Sequence, residues 1–283
     1  MKVPIIGQTA LLDYILKVGN NLPHFIVLVG RKGSGKRRIA EIIAETLGCV
    51  YSETDISVQN VREVIDTAYT SATRVLYCFA DADTMRAEAK NAMLKITEEP
   101  PVNAYFVLTV QDESSLLDTV KSRAGVFRMF PYSNSDIRRY IELAHFDVPH
   151  DKRDLIVQIC YTPGDVNILM EYDVQAFYDY VKLVYDNIVE VEPANAFKSS
   201  SKLAIKTDEG YDLSLFWQTF IYIAMEELIH IHPGTVILKS SPYYKNSCMI
   251  QVTTLYLNKL QKVSVNKQQL YDGWVFDIRE ACL

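Results

Sequence analysis

The chain has 283 residues, of which 49% are hydrophobic and 23% charged, with only 11 glycines and 10 prolines. That composition excludes a disordered or collagen-like chain, and the length calls for two or three domains. Lys and Arg number 29 against 35 Asp and Glu, a net charge of −6, so the chain lacks the basic excess of a free-standing DNA binder.

The first half alternates short apolar runs with helical spacing. Phe25–Val29, Val75–Phe79 and Tyr105–Val110 read as buried strands, and Val126–Phe130 as the last one. Helical patterns cover Lys36–Leu47, Val58–Ala72 and Glu88–Thr97. Strands separated by helices imply βαβ units and a mostly parallel sheet. After Pro131 strand-like alternation stops. Asn134 or Ser135 is positioned to cap a helix through Ile137 and Ile141. Further helices are expected at Asp151–Cys160, Asp165–Tyr172 and Val174–Val189, then at Leu213–Ile231, Tyr244–Leu260 and Lys267–Ala281. Val191–Lys206, with Pro193 and a run of three serines, reads as a joint. The expected division is an α/β domain over 1–132, a small helical domain over 133–190 and a C-terminal helical domain over 191–283.

No apolar run approaches the roughly 18 residues of a membrane span, and Met1–Pro4 lacks a leader's apolar stretch. Five scattered cysteines without a CxxC pair predict neither a zinc site nor a disulfide framework, and point to a reducing cytoplasm. His230 and His232, two apart before Pro233, read as helix-end polar residues rather than metal ligands. Phe216, Trp217, Phe220, Tyr222, Trp274 and Phe276 read as helix–helix core rather than a base-stacking platform.

Gly30-Arg31-Lys32-Gly33-Ser34-Gly35-Lys36 fits GxxxxGK between a strand and a helix. In such a loop, backbone N–H groups turn inward around a phosphate, the helix N-terminus adds positive potential and Lys36 supplies a point charge. ATP, ADP and an inorganic anion are all candidate occupants. The next residue ordinarily carries a hydroxyl that ligates Mg²⁺, yet here it is Arg37, which repels a cation. The second half of such a site is an apolar strand ending in two acids. Val75–Phe79 is followed instead by Ala80 and then Asp81, with Asp83 as a displaced substitute. Two metal positions are therefore altered together. Metal stabilisation contributes several kcal/mol to the barrier, so hydrolysis by this chain alone is expected to be negligible and Mg²⁺ weakly held or absent.

Asn91-Ala92-Met93-Leu94-Lys95-Ile96-Thr97-Glu98-Glu99-Pro100-Pro101 resembles the NALLKxLEEPP signature of bacterial DNA polymerase III clamp-loader AAA+ subunits. Phe106–Thr109, Leu116-Leu117 and Thr119–Arg123 are similar to the family's FxLxT and LL-TI-SR segments, and Ile5–Gln8 to its IxGQ. Val265–Leu270 resembles the opening of the last collar helix in delta-prime-type subunits. The resemblance implies an AAA+ domain, a lid and a helical collar, in a hetero-pentameric ring that loads a sliding clamp onto primed DNA. It also implies that Arg123 is an arginine finger given to a neighbouring subunit's ATP, with Ala124 where the family has Cys. Such fingers contribute roughly 10³–10⁵ in rate, and a guanidinium suits the task because it is permanently charged and forked.

Three departures remove nucleotide chemistry without touching Arg123. Neither Val166 nor Asn167 supplies the lid's basic sensor, and Gln111 stands where motor subunits favour Thr. The four-cysteine zinc module of many relatives has no counterpart after Leu47. The resemblance therefore points to an ATPase-deficient, delta-prime-like subunit. An active motor-type loader ATPase, or a stand-alone P-loop NTPase or DNA-binding switch, are the alternatives.

Overall fold

A computed structural model describes residues 5–190, 193–205, 210–229, 241–260 and 266–282. Val191, Lys206, His230, Ile231, His232, Pro233 and Val265 lie outside the described residues. The chain divides into two units, Met1–Ala144 with Thr162–Gly164, and His145–Tyr161 with Asp165–Leu283.

The first unit contains α1 (Thr9–Val18), β1 (Phe25–Val29), α2 (Lys36–Leu47), β2 (Val50–Thr54), α3 (Val58–Thr70), β3 (Val75–Phe79), α4 (Ala87–Ala92), α5 (Leu94–Glu98), β4 (Ala104–Val110), α6 (Asp118–Lys121), β5 (Gly125–Arg128) and α7 (Asn134–Leu143). The strands form one parallel sheet in the order β2-β3-β4-β1-β5. Strand periodicity sends alternate side chains to opposite faces, and both faces here are covered. Phe25 and Val27, Tyr77 and Phe79, and Phe106 and Leu108 meet Val61 and Ile65 of α3 and Ala89 of α4. Ile26 and Leu28, Leu76 and Cys78, and Tyr105 and Val107 meet Leu11 and Ile15 of α1 and Ile39 and Ile43 of α2. All seven residues of the central β4 are buried. A strand buried on both faces has no polar side to show, and for that reason these strands are continuous apolar runs in the sequence.

Two local expectations shift. The cap of α7 is Ser133 rather than Asn134 or Ser135. Its hydroxyl accepts from the Asp136 amide while the Asp136 carboxylate accepts from the Ser133 amide, a reciprocal box that neither alternative can form. The expected helix over Glu88–Thr97 breaks at Met93 into α4 and α5. Gln8 of the Ile5–Gln8 motif is fully buried and clamps Phe130, donating to its carbonyl and accepting from its amide at 2.8 and 2.9 Å. That clamp fixes where the chain leaves the sheet.

The second unit is helical: α8 (His150–Ile159), α9 (Pro163–Leu169, whose first two residues belong to the first unit), α10 (Val174–Asn187), α11 (Pro193–Lys198), α12 (Leu213–Ile229), α13 (Pro242–Leu260) and α14 (Lys267–Cys282). α12 packs on α8, α10 and α13, and α13 packs on α14. With neighbours on several sides α12 is apolar nearly all round, burying Leu215, Phe216, Trp217, Phe220, Ile221 and Ile223. Phe216 and Phe220 each meet Trp274 edge to face with centroids 5.6 and 5.1 Å apart, and the Trp274 indole donates to Thr253 Oγ1 at 3.0 Å. These aromatics are core. Phe276 is not, being 60% exposed on α14. Among the described residues no helix is long and apolar enough to cross a membrane.

Candidate functional site

β1 ends at Val29, and the seven residues Gly30–Lys36 carry the chain over the sheet edge into α2. Gly33 and Gly35 adopt φ of +78° and +84°, a left-handed region that favours glycine and turns successive N–H groups inward. Gly30 is required for space: a Cβ there would lie 2.6 Å from Met129. Gly33 is doubly constrained, because its carbonyl accepts from the Gly164 amide at 3.0 Å and a Cβ would strike Thr162 and Gly164. Thr162 also donates to the Lys32 carbonyl at 3.3 Å. The Thr162–Gly164 contribution has no local signature near the loop, and sequence reasoning missed it. Tyr132 donates to the Ser34 carbonyl at 2.8 Å.

The loop is polar and inward-facing. α2 starts at Gly35 without a side-chain cap, so its first-turn amides await an acceptor. Ser34 is 3% exposed, and its Oγ has no hydrogen-bond partner. The Lys36 ammonium folds back, donating to the Gly30 and Arg31 carbonyls at 2.6 and 2.9 Å. Burial lowers the Lys36 pKa to about 8, with Asp81 and Asp83 opposing that shift and Arg37 adding to it. Uncapped amides, an orphan hydroxyl and a buried ammonium fit an anionic phosphate.

The same residues do not fit Mg²⁺. Arg37 reaches from the first turn of α2 to both neighbouring strand ends, with Nη2 3.1 Å from Asp81 Oδ2 and Nε 3.3 Å from Glu53 Oε1. Asp81 follows Ala80 in a left-handed conformation, φ +52°, held by its amide donating to Thr109 Oγ1 at 3.0 Å. Asp83 is no substitute metal ligand. It is 4% exposed, and its carboxylate accepts from the Gln111 and Asp112 amides and the Ser115 hydroxyl at 2.8–3.2 Å. It pins the loop after β4, the position where Gln111 stands. Both acids are thus engaged by protein groups, and the hydroxyl position holds a cation. Among the described residues no group of three or more His, Cys, Asp and Glu is arranged to hold a metal.

Arg123 lies away from this cluster, just past α6. Nη1 donates to the Thr119 carbonyl at 3.1 Å, and Nη2 sits 3.3 Å from Glu98 Oε1. Its side chain is 41% exposed and that of Glu98 58%. Glu98 is part of the Glu98-Glu99-Pro100-Pro101 segment, and this pairing is what the sequence alone could not assign to it. Glu53, the second partner of Arg37, was likewise invisible, because nothing local links β2 to the start of α2.

Residues 51–133 match the family described as DNA polymerase III, delta subunit. The chain is 24% identical over 319 aligned positions to DNA polymerase III subunit gamma of Buchnera aphidicola subsp. Schizaphis graminum, covering 94% of this chain and 84% of that one. A second gamma subunit, from Buchnera aphidicola subsp. Acyrthosiphon pisum, is 22% identical over 94% of this chain and 85% of its own length. Among solved structures, the Thermotoga maritima RuvB Holliday junction branch migration motor is 18% identical with a TM-score of 0.52, covering 94% of this chain and 90% of that one. The RuvB likeness shows a shared fold and nothing about chemistry.

Proposed function

We propose that the chain, which is similar to DNA polymerase III subunits over residues 51–133 and along 94% of its length, is a delta-prime-like member of the DNA polymerase III clamp loader with little or no ATPase of its own. In this reading it stands in a hetero-pentameric cytoplasmic ring that places a sliding clamp on primed DNA. Residues 1–132 form the AAA+ domain, 133–190 the lid and 191–283 the collar that holds it among its neighbours. Gly30, Gly33, Ser34, Gly35, Lys36 and Arg37 hold ATP, ADP or an inorganic anion. Arg123 is the catalytic group, presented to the triphosphate of an adjacent subunit.

The observation that carries the reading is the ion pairing of Arg37. A guanidinium in contact with Asp81 stands between the two positions from which a hydrolysing P-loop enzyme would hold its metal. Arg123 supports the second half. It is exposed, and an exposed ion pair contributes only about 0–1 kcal/mol, so a phosphate can displace Glu98 at small cost. The test is reconstitution of the loader with Arg123→Ala. Hydrolysis at the neighbouring site should fall by roughly 10³-fold or more while the subunits still assemble. Unchanged DNA-stimulated ATPase would refute the finger.

Similarity to gamma subunits along 94% of the chain favours a second reading, a motor-type ATPase with unusual metal ligands. Magnesium-dependent turnover by the isolated chain, lost in Lys36→Ala, would establish it instead.

A further inference from the structure

We infer that Arg37 is a built-in cation in place of Mg²⁺, so that the loop binds a nucleoside polyphosphate without metal. The inference rests on the reading of Gly30–Lys36 as a phosphate site and is independent of Arg123.

Four observations lead there. The loop retains what an anion needs: left-handed Gly33 and Gly35, an uncapped α2 and the buried, partnerless Ser34 Oγ. It has lost what a metal needs, because Ala80 has no side-chain oxygen and the Asp83 carboxylate already accepts from residues 111, 112 and 115. The remaining acid, Asp81, is already paired to Arg37 at 3.1 Å. Finally, Arg37 follows Lys36 directly on the first turn of α2, and its side chain is 55% exposed while pairing with Glu53 and Asp81. A guanidinium pairs bidentately with phosphate oxygens, and next to it a divalent ion meets repulsion. The same residue that excludes the metal therefore supplies positive charge for the phosphates the metal would have screened.

The experiment is calorimetric titration of the full chain with ADP, once in EDTA and once in excess MgCl₂. Affinity should be as tight or tighter in EDTA, because Mg²⁺ complexes free ADP and withdraws it from a site that does not accept the metal. Arg37→Ala should weaken binding in EDTA by about tenfold or more, as expected for loss of a charge-assisted pair, and Arg37→Lys should retain part of it. Unchanged thermal melts would show that the variants fold. Tighter binding with Mg²⁺ than in EDTA would overturn the inference and leave the phosphate site standing. Full affinity in Arg37→Ala would remove Arg37 from the role. No binding in either buffer would overturn both the inference and the phosphate site, leaving the Arg123 reading intact.

Discussion

Two corners of the first unit hold an arginine against a carboxylate, and they are built for different ends. At the phosphate loop, Arg37 bridges Asp81 and Glu53 from two strand ends, beside a lysine folded onto its own loop. Past α6, Arg123 has one exposed carboxylate and one helix carbonyl. The loop corner is closed on itself. Its acids are satisfied by protein groups, so a cation finds nothing to bind. The α6 corner is held loosely and faces outward, where a stronger anion can take the guanidinium. In the proposed reading, one arginine ends chemistry in its own pocket and the other supports it in a neighbour's. What decides is which groups already surround it.

The sharpest way to test the closed corner is through its two acids. Asp83→Ala leaves the Gln111 and Asp112 amides and the Ser115 hydroxyl without their buried acceptor. Hydrogen bonds to charged groups contribute about 1.5–3 kcal/mol each before compensation, so unfolding free energy in urea should drop by about 3 kcal/mol. Asp81→Asn, two residues away, keeps a residue that tolerates the left-handed backbone, removes only the charge of an exposed pair and should cost under about 1 kcal/mol. Equal effects would mean that Asp83 is not the structural pin described here.

For the open corner, Arg123→Lys keeps the charge and loses the planar fork. Hydrolysis by the neighbour in the assembled loader should stay at least about tenfold below wild type. Full activity would show that the site needs a point charge alone.

A third measurement concerns Lys36. Burial drives its pKa down to about 8, against the pull of Asp81 and Asp83 and with the help of Arg37. A phosphate needs the protonated form. ADP affinity should therefore be level below about pH 7 and fall by up to about tenfold between pH 7 and pH 9. Stability moves the other way. The folded chain releases this proton more readily than the unfolded one, so the burial penalty is complete below about pH 8 and fades as pH rises toward the ordinary lysine value. Calorimetry and urea unfolding across that window should show opposite slopes.

Much of the first unit was legible because its strands are buried on both faces. Phe25–Val29 and Val75–Phe79 are found at the bounds their apolar runs predict. The edge strand was less so. β5 spans Gly125–Arg128 rather than Val126–Phe130, its side chains are only partly covered, and Phe130 is half exposed. A run with one wet face gives periodicity little to fix its ends. In the second unit the start of α12 and the bounds of α13 and α14 follow the apolar spacing closely, while the exposure of Phe276 could not be read from its being aromatic. In the candidate site, the loop, Arg37 and Ala80 stood out by their place in the phosphate-loop pattern, and Arg123 through the family resemblance alone. The partners did not. Glu53 to Arg37, Glu98 to Arg123 and Thr162–Gly164 to Gly33 are made by the fold, and no local pattern announces them.

The smallest expected effect tests how Arg123 is held before it is used. Glu98→Gln removes the charge at 3.3 Å while keeping the size and an acceptor. With both side chains substantially exposed, stability should change by no more than about 0.5 kcal/mol. The Thr119 carbonyl remains to orient the guanidinium, so the arginine stays near its place but is released from competition. In the reconstituted loader, the neighbouring subunit's KM for ATP should then fall by about twofold, the size such an exposed pair can account for, with kcat unchanged. A drop in kcat instead would mean that Glu98 orients the finger rather than restrains it. The α6 corner would then be as closed as the phosphate loop, and the contrast between the two arginines would not hold.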